Sequence, residues 1–178
     1  QKVQGGYTHA EQSLRVVDRL EKEGQGLNLT WEVRQGILHH SKGRGSLNPI
    51  KISDIPLSLE GQICRISDAI AYVNHDLIDA MRAGVIKAND IPSSVTKLLG
   101  ETHSDRINVI IKDVIENSKI SDLADDDQPG NIQMSKIIND AVVDLREYLF
   151  ENVYIEAGRG KDGVIAWEAL EFLWDKFN

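Results

Sequence analysis

The chain has 178 residues, 41% of them hydrophobic and 27% charged, with a net charge of −8. That length suits one domain burying about 70% of its unfolded surface, and the composition is that of a globular chain, not a disordered or fibrous one. No apolar run approaches the roughly 20 residues of a membrane span, the polar start QKVQGG is no signal peptide, and the single cysteine, Cys64, excludes an intrachain disulfide and a cysteine-rich zinc site. The expectation is therefore a cytoplasmic protein with no membrane partner. Charge is unevenly spread: residues 1–100 carry 12 Lys and Arg against 11 Asp and Glu, residues 101–178 carry 8 against 17. The acidic second half argues against a general nucleic-acid surface, which needs a basic stripe. Nucleic acid as an effector stays open but is not indicated by charge. An anionic small molecule would meet the near-neutral first half.

In chain order, Gln1 to Tyr7 reads as a loop. A helix is predicted from Thr8 to Glu23, with Leu14, Val17 and Leu20 as its stripe and Gly24 and Gly26 as its stop. Thr30 is placed to cap a second helix through Trp31, Val33, Ile37 and Leu38 to His40. Residues 41–59, rich in Gly, Pro and Ser, read as a long loop. A long helix from Ser58 to Arg82 ends at Gly84, and Asp90-Ile91-Pro92 opens a short one. The next, Ser104 to Ser118, has Ile107, Ile110, Ile111, Val114 and Ile115 as its expected core face.

Residues 122–131, DLADDDQPGN, read as an acidic linker, without the alternation and closing Glu of a calcium loop. Ser135 caps a helix to Glu156 that is apolar at Ile138, Val142, Leu145, Leu149 and Val153. A last helix covers Gly163 to Phe177 with Trp167, Leu170, Phe172 and Trp174. No strand alternation, repeat or low-complexity tract interrupts this pattern. The chain reads as all-α, with about six or seven helices. Its expected division is residues 1–118, then a C-terminal helical region, 119–178, after the acidic linker at 122–131.

The long helix carries the chemistry. Ile63, Ile66, Ile70, Val73, Leu77 and Met81 recur at steps of three and four, filling an arc roughly 100° wide. Asp68, Tyr72, His75, Asp76 and Asp79 share the opposite arc. An ordinary solvated face is the bland reading, but such faces are stocked with Lys and Glu. Between Gly61 and Ala83 there is neither, and Cys64, Ser67, Ala69 and Ala71 are small enough for neighbours to pack on several sides.

Residues 61–84, GQICRISDAIAYVNHDLIDAMRAG, resemble the last active-site helix of bacterial deoxyguanosinetriphosphate triphosphohydrolases and their HD-domain relatives. In that family a run R-I-x-D-x-I-A-Y-x-N-H-D precedes an R-A-G turn, matched by Arg65, Asp68, Tyr72, Asn74, His75, Asp76 and Arg82-Ala83-Gly84. Further similarity lies in GG-x-x-H-x-x-Q-S-L-R-V-V from Gly5 to Val17, L-N-L-T-W-E-V-R-x-G-I from Leu27 to Ile37, E-T-H-S-D-R-I-N from Glu101 to Asn108, and L-R-E-Y-L-F-E-N-V-Y from Leu145 to Tyr154.

The resemblance implies a helical HD-domain-type bundle that here lacks the N-terminal portion with the upstream His and the HD metal ligands. His75-Asp76 is not that pair, because the matched motif is the final helix, and His39-His40 have no Asp after them. It implies hydrolysis of a deoxynucleoside triphosphate, dGTP or a broader set, to the deoxynucleoside and inorganic triphosphate. A divalent cation such as Mg²⁺ or Mn²⁺ is the implied cofactor and a homo-oligomer the implied assembly. Asp68 becomes a metal ligand and His9 the catalytic acid or water-positioning group, its pKa near neutrality suited to the task and open to tuning by Glu11.

Tyr72 and Asp76 become substrate-binding residues. A 3′-hydroxyl can donate to the carboxylate, and a ring packed against C2′ excludes a 2′-hydroxyl. The structural alternatives are core packing for Tyr72, an ion pair to Arg82 or Lys87 for Asp76, and a plain surface residue for His9. Arg15, Arg65 and Arg82 are candidate phosphate partners, as are Lys42 and Arg44 in a glycine loop without the G-x-x-x-x-G-K of a nucleotide-binding loop. With most metal ligands missing, the 178-residue chain alone is expected to be inactive. Two rival readings are a non-catalytic nucleotide-binding or assembly module and an HD phosphohydrolase acting on other nucleotides.

Overall fold

A computed structural model describes residues 6–41, 47, 55–120 and 130–177. Its elements are α1 (His9–Arg15), α2 (Glu21–Gly24), α3 (Trp31–His39), α4 (Leu59–Arg82), α5 (Ser93–Leu99), α6 (His103–Asn117), α7 (Lys136–Leu149), α8 (Ile155–Arg159) and α9 (Lys161–Phe177). Among the described residues the only β pairing is an isolated bridge between Lys119 and Asn131, so the chain is all-α as predicted. No helix among them is long and apolar enough to cross a membrane.

Helix α4 is the central element, packed against α3, α6 and α7. It starts where Ser58 Oγ accepts from Gly61 N at 3.1 Å and stops at Gly84, whose φ of +72° favours glycine. Ile66, Ile70, Val73 and Leu77 enter a core shared with Val95 and Leu99 of α5, Ile110 of α6, and Val142, Leu145 and Leu149 of α7. Each such side chain, fully buried, contributes about 1.5–3 kcal/mol. The predicted α7 stripe is the one observed. Ser135 Oγ caps α7 by accepting from Ile138 N, while its own N–H donates to Asp113 Oδ2 at 2.7 Å.

Two predicted faces are rotated. Ile63 is 49% exposed, and the buried arc of α4 takes in Gln62, Arg65 and Asn74 instead. On α6, Ile111 and Ile115 are 45% and 70% exposed, while Arg106 and Ile110 are buried. Polar residues are admitted because each finds a partner. Asn74 Nδ2 donates to Ile70 O at 2.8 Å, and Arg106 donates from Nε to Asn74 Oδ1 at 3.1 Å and from Nη1 to Glu101 O at 2.9 Å. This bond joins the N-H-D run of α4 to the S-D-R run of α6. A capping box at Thr102 and Asp105 starts α6.

The first predicted helix is not one continuous α-helix. α1 opens into a wide π turn at Val16–Leu20, and Lys22 and Glu23 take positive φ. Val17 O accepts from Leu27 N at 2.8 Å, a bond that draws the chain back on itself. Gly26 makes that return possible: its φ is +73°, and a Cβ there would stand 2.2 Å from Asp18 O. Asp18 then accepts both Nε and Nη2 of Arg34, tying this turn to α3. Thr30 occupies the N-cap position of α3 with extended backbone, but without the side-chain capping bond expected of it.

Helix α7 runs through a second π turn, Phe150–Tyr154, into α8. The last helix begins two residues earlier than predicted, at Lys161. Lys42, Arg44 and most of the acidic linker lie outside the described residues.

Candidate functional site

A cavity of about 410 Å³ opens between α1, the end of α3, α4 and α7, within the size range of small-ligand pockets. His9 reaches it from the first turn of α1, and His40 and Ser41 from the end of α3. Gln62, Arg65, Asp68 and Tyr72 come from successive turns of α4, and Arg146 from the last turn of α7. Leu47, Ile55, Ile66 and Ile132 supply apolar walls. Three of the four predicted site residues, His9, Asp68 and Tyr72, therefore share one cavity, although His9 and Asp68 are 59 positions apart in sequence.

The fourth, Asp76, does not line that cavity. One turn beyond Tyr72, its carboxylate accepts the hydroxyl of Tyr154, from the π turn after α7. Burial, and then this bond to Asp76, push the Tyr154 phenol above its ordinary range. A smaller cavity of about 80 Å³ lies beside it, lined by Tyr72, Val73, Arg146 and Tyr154 among others. Tyr72 and Arg146 thus stand between the two spaces. Among the described residues Asp76 pairs with neither Arg82 nor Lys87, and Arg82 lies 3.6 Å from Asp79 instead.

Among the described residues that line the 410 Å³ cavity, charge is mixed but leans positive. Arg65 is buried, and its Nη1 donates to His39 O at 3.3 Å. Burial lowers the pKa of Arg146, yet a guanidinium stays charged at any physiological pH. Among the described lining residues the carboxylate set against these two cations is Asp68, on an exposed position of α4. Gln62 is a structural link, its Oε1 accepting from Ile132 N at 2.9 Å. Arg15 and Arg82 do not line the cavity.

His9 has a partner that the sequence did not indicate. Its Nε2 lies 3.3 Å from Nε2 of His40, the rings meeting edge to face with centroids 5.1 Å apart. His40 Nδ1 lies 2.6 Å from Ile37 O. Glu11, the residue expected to tune His9, is exposed. A second histidine contact, His75 with His103 at 5.8 Å between centroids, sits away from the cavity and joins the same two motifs as Asn74 and Arg106.

His40, Arg146 and Tyr154 are the site-forming residues that sequence reasoning missed. Arg146 and Tyr154 lie inside the L-R-E-Y-L-F-E-N-V-Y run, which was a signal without a role. His40 had no signal, because its partner is 31 residues away.

Among the described residues no group of three or more His, Cys, Asp or Glu side chains is arranged to hold a metal ion. Asp68 is one hard oxygen ligand, and one is too few for a divalent cation that takes six or more. The described residues alone do not make a metal centre.

No protein-family model matches the chain. Relatives named deoxyguanosinetriphosphate triphosphohydrolase-like protein are similar to it over nearly its whole length. The one from Caldanaerobacter subterraneus subsp. tengcongensis is 43% identical over 175 residues, 98% of this chain and 46% of its own. Those from Desulfatibacillum aliphaticivorans and Clostridium perfringens are 40% and 42% identical, over 96% and 97% of this chain and 47% and 49% of their own. The chain is homologous to these proteins and spans about half their length.

Proposed function

We propose that this chain, a homologue of one half of the deoxyguanosinetriphosphate triphosphohydrolase-like proteins, forms part of the nucleotide site of a deoxynucleoside triphosphate triphosphohydrolase. The reaction adds water across the bond between the α-phosphorus and the 5′-oxygen, releasing a deoxynucleoside and inorganic triphosphate. One observation carries the reading. His9, Asp68 and Tyr72, brought from α1 and α4, line the same cavity as Arg65 and Arg146.

Each residue type suits a part of that chemistry. Two guanidiniums, one buried and one half-buried, attract a polyanion more strongly than exposed ones because less water screens them. His9 supplies a proton to the departing 5′-oxygen or orients the attacking water. Tyr72, 60% exposed on the cavity wall, offers a flat face to the sugar, and a 2′-hydroxyl would press into it. Asp76 accepts a hydroxyl hydrogen from Tyr154, and a 3′-hydroxyl would compete for the same carboxylate. Sugar recognition by Asp76 therefore requires Tyr154 to share it. Asp68 is assigned as one ligand of a divalent ion such as Mg²⁺ or Mn²⁺, in a set completed from outside the described residues. Assembly into a homo-oligomer belongs to the same proposal, supported by the exposed Trp167, Leu170 and Phe172 of α9.

The test is phosphorus NMR of each dNTP with Mg²⁺ or Mn²⁺, using the 178-residue chain and a protein of the relatives' full length that carries it. Triphosphate release by the longer protein, abolished by Asp68→Ala, is the expected result. Orthophosphate release would point to another HD phosphohydrolase. Nucleotide binding without release would leave a binding module.

A further inference from the structure

We propose that His40 is the positioning residue for His9, fixing which ring nitrogen of His9 exchanges its proton with the cavity. The inference rests on the reading of His9 as the acid or water-orienting group. A carbonyl oxygen only accepts, so the 2.6 Å contact between His40 Nδ1 and Ile37 O places a hydrogen on Nδ1. A neutral His40 then carries a bare Nε2. The 3.3 Å contact between the two Nε2 atoms therefore has one possible donor, Nε2–H of His9. That assignment leaves Nδ1 of neutral His9 without a hydrogen, and Nδ1 becomes the atom that gains and loses the catalytic proton.

The geometry is suited to holding one tautomer. Free imidazole is divided between two neutral forms, and a bond at one nitrogen selects the other for chemistry. His40 itself is anchored within the last turn of α3, and α3 is held against the α1 region by the bidentate Asp18–Arg34 contact. The edge-to-face stack of the rings fixes the angle of His9, and the Nε2–Nε2 contact its tautomer. Both histidines line the cavity, so the pair acts where Asp68 and Tyr72 are presented.

Nitrogen-15 NMR of histidine-labelled 178-residue chain, at a pH where both rings are neutral, tests the assignment without any turnover. The expected spectrum has His9 protonated at Nε2 and His40 at Nδ1. A His9 ring protonated at Nδ1, or an even mixture, overturns the proposal. His40→Phe keeps a ring of similar size and removes the acceptor, and should leave His9 as a tautomer mixture. His40→Gln, whose side-chain carbonyl can accept from His9, should restore the single form. A His9 spectrum unmoved by His40→Phe overturns the proposal as well.

In a protein of the relatives' full length, His9→Ala should reduce kcat by about 10²–10⁴-fold, the usual share of a general acid. His40→Phe should reduce kcat by about tenfold with KM unchanged, and His40→Gln should recover most of it. If His9→Ala leaves turnover intact, the catalytic reading of His9 fails while the tautomer result stands. If His9→Ala is inactive but His40→Phe is fully active, the positioning role fails alone.

Discussion

Replacing Asn74 by alanine is expected to destabilise the fold far more than the loss of one amide would in a typical helix. Asn74 is fully buried, and Arg106 behind it is 2% exposed. The amide does two jobs, donating to Ile70 O at 2.8 Å and accepting Arg106 Nε at 3.1 Å. Burial already holds the Arg106 pKa below its usual value, opposed by Asp105. Alanine would leave Nε of a charged guanidinium unpaired in the interior, with only the Nη1 bond to Glu101 O remaining. Stranding a buried charge costs about 3–5 kcal/mol, against roughly 1 kcal/mol for an ordinary hydrogen bond.

We expect about 3 kcal/mol for Asn74→Ala, because one guanidinium bond survives. For a chain of this length that corresponds to a fall in Tm of roughly 6–12 °C. Denaturant unfolding of the purified chain measures it. Asn117→Ala is the control, since Asn117 also donates to a carbonyl four residues back but supports no buried cation, and about 1 kcal/mol is expected there. The double variant Asn74→Ala/Arg106→Met should lose less than the two single losses added together, because the stranded charge is gone. Equal losses for Asn74→Ala and Asn117→Ala, or strict additivity in the cycle, would refute the argument.

Other substitutions separate backbone from side-chain effects. Gly84→Ala meets only its φ of +72° with open space around it, and should cost about 1–2 kcal/mol. Gly26→Ala adds a 2.2 Å collision with Asp18 O, so its unfolding midpoint should fall well below that of Gly84→Ala; the reverse order would sink the cradle argument. Tyr154 has a raised folded-state pKa from burial and from Asp76. Its stabilising contribution is therefore complete below the unfolded value of about 10 and declines as pH rises toward the folded value. Denaturation at intervals from neutral to strongly alkaline pH should show a shallower alkaline decline for Tyr154→Phe than for the parent chain. An unchanged slope would mean that Tyr154 ionises as easily folded as unfolded.

Much of this protein is legible in its sequence for local reasons. The serine at position 58, the Thr102–Asp105 box and Ser135 mark helix starts because a side-chain oxygen satisfies a backbone N–H within the same turn. The α7 stripe is read correctly because Ile138, Val142, Leu145 and Leu149, spaced three and four apart, are all buried on one side of the helix. His9, Asp68 and Tyr72 are legible through resemblance to motif positions, and those positions do not say where the side chains meet.

Periodicity names an arc but not the part of it a neighbour covers. Ile63, Ile111 and Ile115 fit their stripes and remain exposed, while Gln62, Asn74 and Arg106 are buried because partners brought close by the fold satisfy them. The interruption of the first helix depends on Leu27 returning to Val17 O, and Tyr154 reaches Asp76 across 78 residues. His40 reaches His9 in the same way, across 31. Local sequence determined the helices and their ends, since those bonds close within a few residues. Tertiary packing alone decided which polar side chains are buried and which histidine faces which, since those partners are distant in the chain and close only in the fold.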